Sequence, residues 1–279
     1  MSTENKKPQV IHSVFQVKNK EYITPNYIRV TLSGDDILLF SNMTVGANNK
    51  IFVPPAGATA DIFPSYDNNE RNWVYPSEEI RPTLRTYTHR GISLEKQEMY
   101  IDFVAHGDNG PASAWAANAK PGDFLGVAMK EKSEPLYPKA DWYLLVADAT
   151  GIPVISAILE SLPATAKGIA FIEIPSPEDK QEIQTHADFE IHWVHNPHPG
   201  EKVVLAEKVK SLSLPLNSRF SYVAAEFSTV KEIRQYLRKE KGWKKEELYA
   251  FSYWKNGISE ESSIKDRQKE RNDDVAVSI

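Results

Sequence analysis

Apolar and polar residues alternate with a period of two through most of the first half of the chain. The run Tyr27-Ile28-Arg29-Val30-Thr31-Leu32 shows it most plainly, and such alternation predicts strands with one buried face. Segments of this kind cover 10–18, 27–33, 49–53, 84–90, 99–106 and 123–128, punctuated by Gly34, Pro54-Pro55, Gly91 and Pro121-Gly122. Six short strands with little helix predict a small antiparallel barrel. Between Pro54 and Pro82 lies a polar, proline-bearing stretch containing Tyr66, Trp73 and Tyr75. Its length marks it as a functional or mobile loop rather than a plain connection.

The second half changes period. A continuous apolar strand over 142–147 precedes a helix over 153–162 with proline in its first turn. Strands over 169–174 and 189–195, a helix over 201–210 and a strand over 221–225 follow. A helix over 229–241 has a capping-box start, Thr229 with Glu232, and Gly242 at its end; a strand over 248–254 closes the series. Strands alternating with helices predict a five-stranded parallel sheet in an α/β domain. The proline-bearing segment 134–139 is the natural linker, giving domains over 1–133 and 134–257. The charged extension 258–279 carries a predicted helix over 260–271.

Composition narrows the chemistry. The 279 residues suffice for two domains, and 41% hydrophobic with 25% charged residues is the balance of a soluble globular protein. A formal net charge of −5 gives no electrostatic reason to expect nucleic acid. Cysteine is absent, which excludes disulfides, thiolate-held iron–sulfur clusters, cysteine-ligated zinc and a cysteine nucleophile. Any electrons that pass through this chain need an organic carrier. The first residues are polar and no apolar run reaches the length of a membrane span, so a cytoplasmic protein without membrane partners is expected.

The candidate chemistry centres on Arg85-Thr86-Tyr87-Thr88-His89-Arg90. On a strand Arg85 and Tyr87 share one face, Thr86 and Thr88 the other. A guanidinium suits a pyrophosphate, a phenol can cover a ring or a ribityl chain, and hydroxyls can reach ring nitrogens. Alone, the hexapeptide also reads as an ordinary polar edge strand. Downstream comes Asp102-Phe103-Val104-Ala105-His106 and then Gly110-Pro111-Ala112-Ser113-Ala114-Trp115. The latter opens a short helix whose free amides suit a phosphate, with Gly110 and Ala112 leaving room for it. Trp115 either touches the ligand or packs beneath the helix.

Together, Arg-x-Tyr-Thr-x-Arg and His-Gly-x-x-Gly-Pro-Ala-x-x-Trp resemble the flavin motifs of the siderophore-interacting proteins, ferric-siderophore reductases of the ferredoxin-reductase superfamily. The resemblance runs from the first strand to Gly257. It implies a flavin-binding barrel followed by a nicotinamide-binding α/β domain, with chemistry between them. It implies FAD held by Arg85, Thr86, Tyr87, Thr88, Asp102, Phe103, Val104, His106, Gly110, Ala112, Ser113 and Trp115. In the family a turn after the first parallel strand reads Gly-Asp-Glu-Thr-Ala-hydrophobic-Pro. Here Asp148, Thr150 and Pro153 remain, while Ala149 and Gly151 replace Glu and Ala. That turn is a nucleotide site or a plain strand-to-helix turn.

Tyr253-Trp254-Lys255-Asn256-Gly257 matches the family's Tyr-Trp-basic-x-Gly, where Trp254 either covers a flavin face or packs structurally. Lys50 and Lys255, with Lys130 as a third, are the basic residues the resemblance offers to an anionic ferric catecholate; any one lysine alone reads as surface charge. The donor is NADPH or NADH, or ferredoxin in another branch, and a monomer is expected. His192, His195 and His198 do not make a metal site, because His192 and His195 point to opposite strand faces and Pro197 and Pro199 break the segment. No catalytic acid–base dyad is needed for outer-sphere electron transfer. A general flavin reductase and a non-enzymatic siderophore or flavin binder are the alternatives.

Overall fold

The computed structural model describes residues 9–107, 110–131, 134–260 and 262–263. The chain divides into two compact units between Leu136 and Tyr137. In the first, β1 (Val10–Thr24) and β2 (Tyr27–Ser33) form a long hairpin, and β3 (Asn48–Val53) follows a short 3-10 turn. A small hairpin, β4 (Ser65–Asp67) and β5 (Asn72–Val74), comes next, then β6 (Thr83–Thr88), β7 (Gly91–Ser93) and β8 (Glu98–Val104). Helix α1 (Pro111–Asn118) and β9 (Phe124–Lys130) complete the unit.

All strands but β4 and β5 join one antiparallel sheet in the order β6-β3-β9-β1-β2-β8-β7. The sheet has seven strands where the alternation predicts six. The extra one, β7, is only three residues long and begins at Gly91, too short to carry a readable period. The long loop contains β4 and β5, each likewise of three residues. Period-two alternation buries Phe15, Ile28, Val30, Ile51, Ile101, Phe103, Leu125 and Val127 in one core. Phe52 and Ala128 turn to the other face, in a smaller cluster with Phe63, Tyr66, Trp73, Tyr75 and Leu84.

The second unit runs β10 (Trp142–Ala147), α2 (Ile152–Ser161), β11 (Lys167–Ile174), β12 (Asp188–His195), α3 (Val204–Lys210), β13 (Arg219–Glu226), α4 (Phe227–Gln235) and β14 (Leu248–Trp254). Its five strands are parallel, in the order β12-β11-β10-β13-β14. Residues of α3 and α4 (Leu205, Val209, Val230 and Ile233) close a core over Leu144, Val146 and Val223.

Two helix starts differ from expectation. Helix α3 begins at Val204, not at 201, because Pro199 and Lys202 pair in a bridge that holds the preceding residues out of the helix. Helix α4 starts directly at the end of β13. Its cap is not Thr229 but Glu226, whose Oε2 accepts from Ser228 N at 2.6 Å and Thr229 N at 3.4 Å. The helix ends in a π turn over Tyr236–Glu240, and Gly242 takes the left-handed φ of 67°. The predicted C-terminal helix over 260–271 lies, from 264 on, outside the described residues. No helix among the described residues is long and apolar enough to cross a membrane.

Candidate functional site

In the first unit the motif strand β6 lies at the sheet edge beside β3. Tyr87 turns inward, its ring 4.6 Å from that of Phe103, which in turn lies 5.7 Å from Trp115 of α1. Phe103 is fully buried while Tyr87 and Trp115 are half-buried, so the three rings run from the core to the surface. Trp115 thus packs beneath Phe103. Arg85 Nη1 donates to the carbonyl of Leu84 at 2.7 Å. Thr86 and Thr88 share the other face; Thr88 is buried, and Thr86 accepts a hydrogen bond from the ammonium of Lys50, its ladder partner on β3.

At the end of β8, Val104 is half-buried and the backbone N–H of His106 donates to Ser113 Oγ at 3.1 Å. This ties the turn to α1. Ser113 and Ala112 are both buried. Gly110 caps α1 without a side chain. A Cβ there would stand 2.6 Å from the His106 ring, so the missing methyl makes room for the imidazole rather than for a phosphate. The amides of the first turn of α1 are what this segment offers an anion.

The side chain of Asp102 is engaged within the protein. Its carboxylate accepts from Arg29 Nε at 2.7 Å and Nη2 at 2.8 Å, with Arg90 Nε at 3.7 Å, and its side chain is 1% exposed. Arg29 stands directly opposite on β2. With Phe103 in the core and Asp102 held by two arginines, both side chains are occupied within the protein and the backbone of this stretch of β8 is what it can offer a ligand. Arg90 closes the hexapeptide motif, whereas Arg29 lies outside every motif. The pairing depends on β2 lying beside β8, which no local pattern reveals.

The residues present fit a flavin. Around the motif strand lie buried polar atoms with no protein hydrogen-bond partner: both side-chain amide atoms of Asn49, opposite Tyr87, both ring nitrogens of His89, and the hydroxyl of Tyr27. Burial pulls His89 down to about 4; burial first, with the charge of Asp102 adding to it against Arg90 and Arg29, pushes Tyr27 well above the ordinary phenol range. Such groups are costly unless a ligand or water meets them. With Arg85 nearby and the uncapped start of α1, a polar anionic cofactor has both its charges and its donors answered.

In the second unit the turn after β10 gathers Asp148, Thr150 and Trp254. Asp148 Oδ1 accepts from Thr150 N at 2.9 Å and Thr150 Oγ1 at 2.6 Å, and Oδ2 from Trp254 Nε1 at 2.7 Å. The amide of Gly151 bonds to the carbonyl of Asp148 at 3.0 Å. Two amides of the turn are therefore already engaged by the protein. A Cβ on Gly151 would come 2.4 Å from the carbonyl oxygen of Ala224, so glycine here lets the turn rest on β13.

Two further acidic residues join this edge. Glu226 caps α4 and accepts from Asn256 N at 3.2 Å. Glu173 of β11 is buried and pushed up to about 7, by burial first, with the Asn196 amide opposing and Asp148 and Glu226 adding repulsion. Neither was singled out as a site residue. Glu173 sits in an apolar run whose facing partners appear only once the strand order is known.

The basic candidates separate. Lys50 is fastened to the motif strand at Thr86, and Lys130 lies on β9 two residues beyond Ala128, the other ladder partner of Lys50. Lys255 belongs to the second unit, its ammonium 4.7 Å over the ring of Phe227.

Comparison with known proteins agrees with both halves. Residues 16–131 match the siderophore-interacting FAD-binding domain and residues 140–257 the siderophore-interacting protein domain. The chain belongs to the siderophore-interacting protein family. It is 33% identical over 266 residues to the ferric vibriobactin reductase ViuB of Vibrio cholerae, covering 94% of this chain and 96% of that one. It is 29% identical to the NADPH-dependent ferric-chelate reductase of Escherichia coli, over 84% of this chain and 89% of that one. The crystal structure of the siderophore-interacting protein SipS from Aeromonas hydrophila superposes with a TM-score of 0.80 at 29% identity, covering 95% of this chain and 99% of the other.

Proposed function

We propose that this protein is an FAD-dependent reductase that passes electrons from a pyridine nucleotide to Fe(III) held in a siderophore, releasing Fe(II). The observation that carries the reading is the ring series Trp115–Phe103–Tyr87, which ends half-buried beside Arg85, with Lys50 bonded to the neighbouring Thr86 of the same strand. One strand thereby holds the groups for a flavin and a cation for an anionic iron complex. FAD, when bound, supplies the exchange between a two-electron donor and the single electrons that Fe(III) accepts.

The protein's own residues bind and orient. Arg85 and the first amides of α1 meet the pyrophosphate, Tyr87 covers the ring system, and the backbone of Val104 to His106 lines it. Thr86 and Thr88 hold the strand to its neighbours. Lys50, helped by Lys130, receives an anionic siderophore of catecholate type, and Lys255 is the separate basic candidate of the second unit. Hard oxygen ligands bind Fe(II) far more weakly than Fe(III), so reduction frees the metal and no proton-transfer residue is required. Asp148, Thr150 and Trp254 shape the donor side. Because Asp148 already engages two amides of that turn, a ferredoxin donor is the second reading.

The test begins with the visible spectrum of the purified protein, before and after incubation with FAD and desalting. A retained flavin band is expected, followed by anaerobic bleaching with NADPH, NADH or reduced ferredoxin and reoxidation by a ferric siderophore. A protein that retains no flavin would overturn the reading. Bleaching without reoxidation by any ferric siderophore would leave a general flavin reductase. Retained flavin that no donor bleaches would leave a non-enzymatic binder.

A further inference from the structure

The second apolar cluster of the first unit is built almost wholly of aromatic rings. Trp73 of β5 stands at its centre, 4.8 Å from Phe52, 4.9 Å from Tyr66, 5.6 Å from His12 and 6.3 Å from Tyr75. The hairpin that carries it is clamped to β1, because the Asn68 side chain accepts from Val10 N at 3.0 Å and donates to Val10 O at 3.2 Å. Phe63 packs down on Gly126 from the same loop.

Strand register places this cluster beside Lys50. Lys50 and His12 both pair with Ala128 of β9, one from each side, and Phe52 follows Lys50 by two residues on the same face of β3. Trp73 touches both His12 and Phe52, which sets it in the position adjoining Lys50. The rim is cationic as well: the guanidinium of Arg81 lies 4.9 Å over the ring of Tyr75. Unlike Phe15 and Phe103 of the main core, Tyr66, Trp73 and Tyr75 each keep part of their surface in solvent. A cluster that merely sealed the sheet would have no use for half-open rings flanked by two cations.

We infer that Trp73 and Tyr75 form an aryl-recognition wall of the siderophore site, stacking a catechol ring of the ligand while Lys50 and Arg81 meet its negative charge. The inference rests on the reading that Lys50 receives the ferric siderophore. Aromatic faces stack on other rings at centroid distances of roughly 4.5–7 Å, and a ferric tricatecholate offers both flat rings and net negative charge. A trihydroxamate complex offers neither. The wall therefore selects the ligand class, and the long loop between β3 and β6 is the element that sets the choice.

The experiment titrates the FAD-loaded protein by calorimetry with Ga(III) complexes, which cannot be reduced, of a tricatechol and of a trihydroxamate chelator. The wild type is expected to bind the tricatechol complex at least about tenfold more tightly. Tyr75→Ala, and Tyr75→Leu, which keeps bulk but loses the ring, should each weaken the tricatechol complex by about tenfold. Trp73→Phe, which keeps a ring, should weaken it less. FAD content, read from its absorption, should not change. Unchanged tricatechol affinity in both Tyr75 variants, or a wild type that does not discriminate between the complexes, overturns the wall alone. Binding of neither complex by the wild type overturns the siderophore reading and the wall together.

Discussion

The indole N–H of Trp254 donates to Oδ2 of Asp148 at 2.7 Å, joining residues 106 positions apart in the sequence. The bond ties the end of β14 to the turn after β10 across the intervening strand β13. Burial pushes the Asp148 carboxyl up, and the bonds from Thr150 and Trp254 draw it back. Every bond that this buried carboxylate loses therefore costs its desolvation without repayment.

Trp254→Phe tests that bond. One aromatic ring is kept, while the N–H and the part of the indole that lies beside Gly200 are lost. Denaturant unfolding should show the α/β unit destabilised by about 1–3 kcal/mol, with FAD content unchanged. A loss below about 0.5 kcal/mol would show that the bond contributes little to the stability of that unit.

The Arg29–Asp102 pair gives a larger effect. Both N–H···O bonds are short, and Asp102 has almost no access to solvent. Asp102→Ala leaves Arg29 without its carboxylate partner, and breaking a buried pair from one side typically costs about 3–5 kcal/mol. Arg29 is itself 24% exposed on its side chain and can turn partly to water, so the lower end of that range is expected. Thermal unfolding followed on the FAD absorption checks it. A loss below about 1 kcal/mol, the scale of a surface pair, would show that the pair contributes no more than an exposed one.

Much of this architecture was legible because its periods are local. The alternation in Tyr27–Ser33 places Ile28, Val30 and Leu32 in the core without reference to any other strand. The flavin strand and the helix after Gly110 were likewise readable from contiguous residues. What could not be read depends on which strand lies beside which. The pairing of Asp102 with Arg29 appears only when β2 is found beside β8, and Gly110 looks like space for a phosphate until the His106 ring is found there. Glu226 lay outside the predicted helix, yet it caps that helix, because the strand runs into it without a loop. The three-residue strands β4, β5 and β7 are too short for a period to register.

Lys50 and Lys255 belong to different units, so their variants report on the siderophore site separately. Lys50→Ala should weaken an anionic ferric siderophore by about tenfold or more, the worth of one charge-assisted hydrogen bond, and Lys255→Ala tests the candidate of the second unit by itself. FAD content should be preserved in both, and the wild-type affinity should fall with added salt. Wild-type affinity in the titration of either variant would remove that lysine from siderophore binding.

Two buried titratable groups give the units opposite responses to pH. Glu173 is pushed from 4.5 to about 7, so the folded α/β unit holds a proton that the unfolded chain releases across that interval. Its stabilising effect is complete below 4.5 and is lost as pH rises through 7. His89 is pulled from 6.5 to about 4, so the unfolded chain holds the extra proton between those values. Its contribution is complete above 6.5 and is lost as pH falls through 4. At about 1.4 kcal/mol for each pH unit of displacement, either group can shift its own unit by on the order of 3 kcal/mol. Hydrogen exchange, corrected for the intrinsic rates, should show peptides from β10 and β11 losing protection between pH 4.5 and 7. Those from β6 and β8 should lose it between pH 6.5 and 4. Glu173→Gln should flatten the first trend and His89→Leu the second, each without altering the other. A single trend shared by both units would mean that neither residue controls the stability of its own unit.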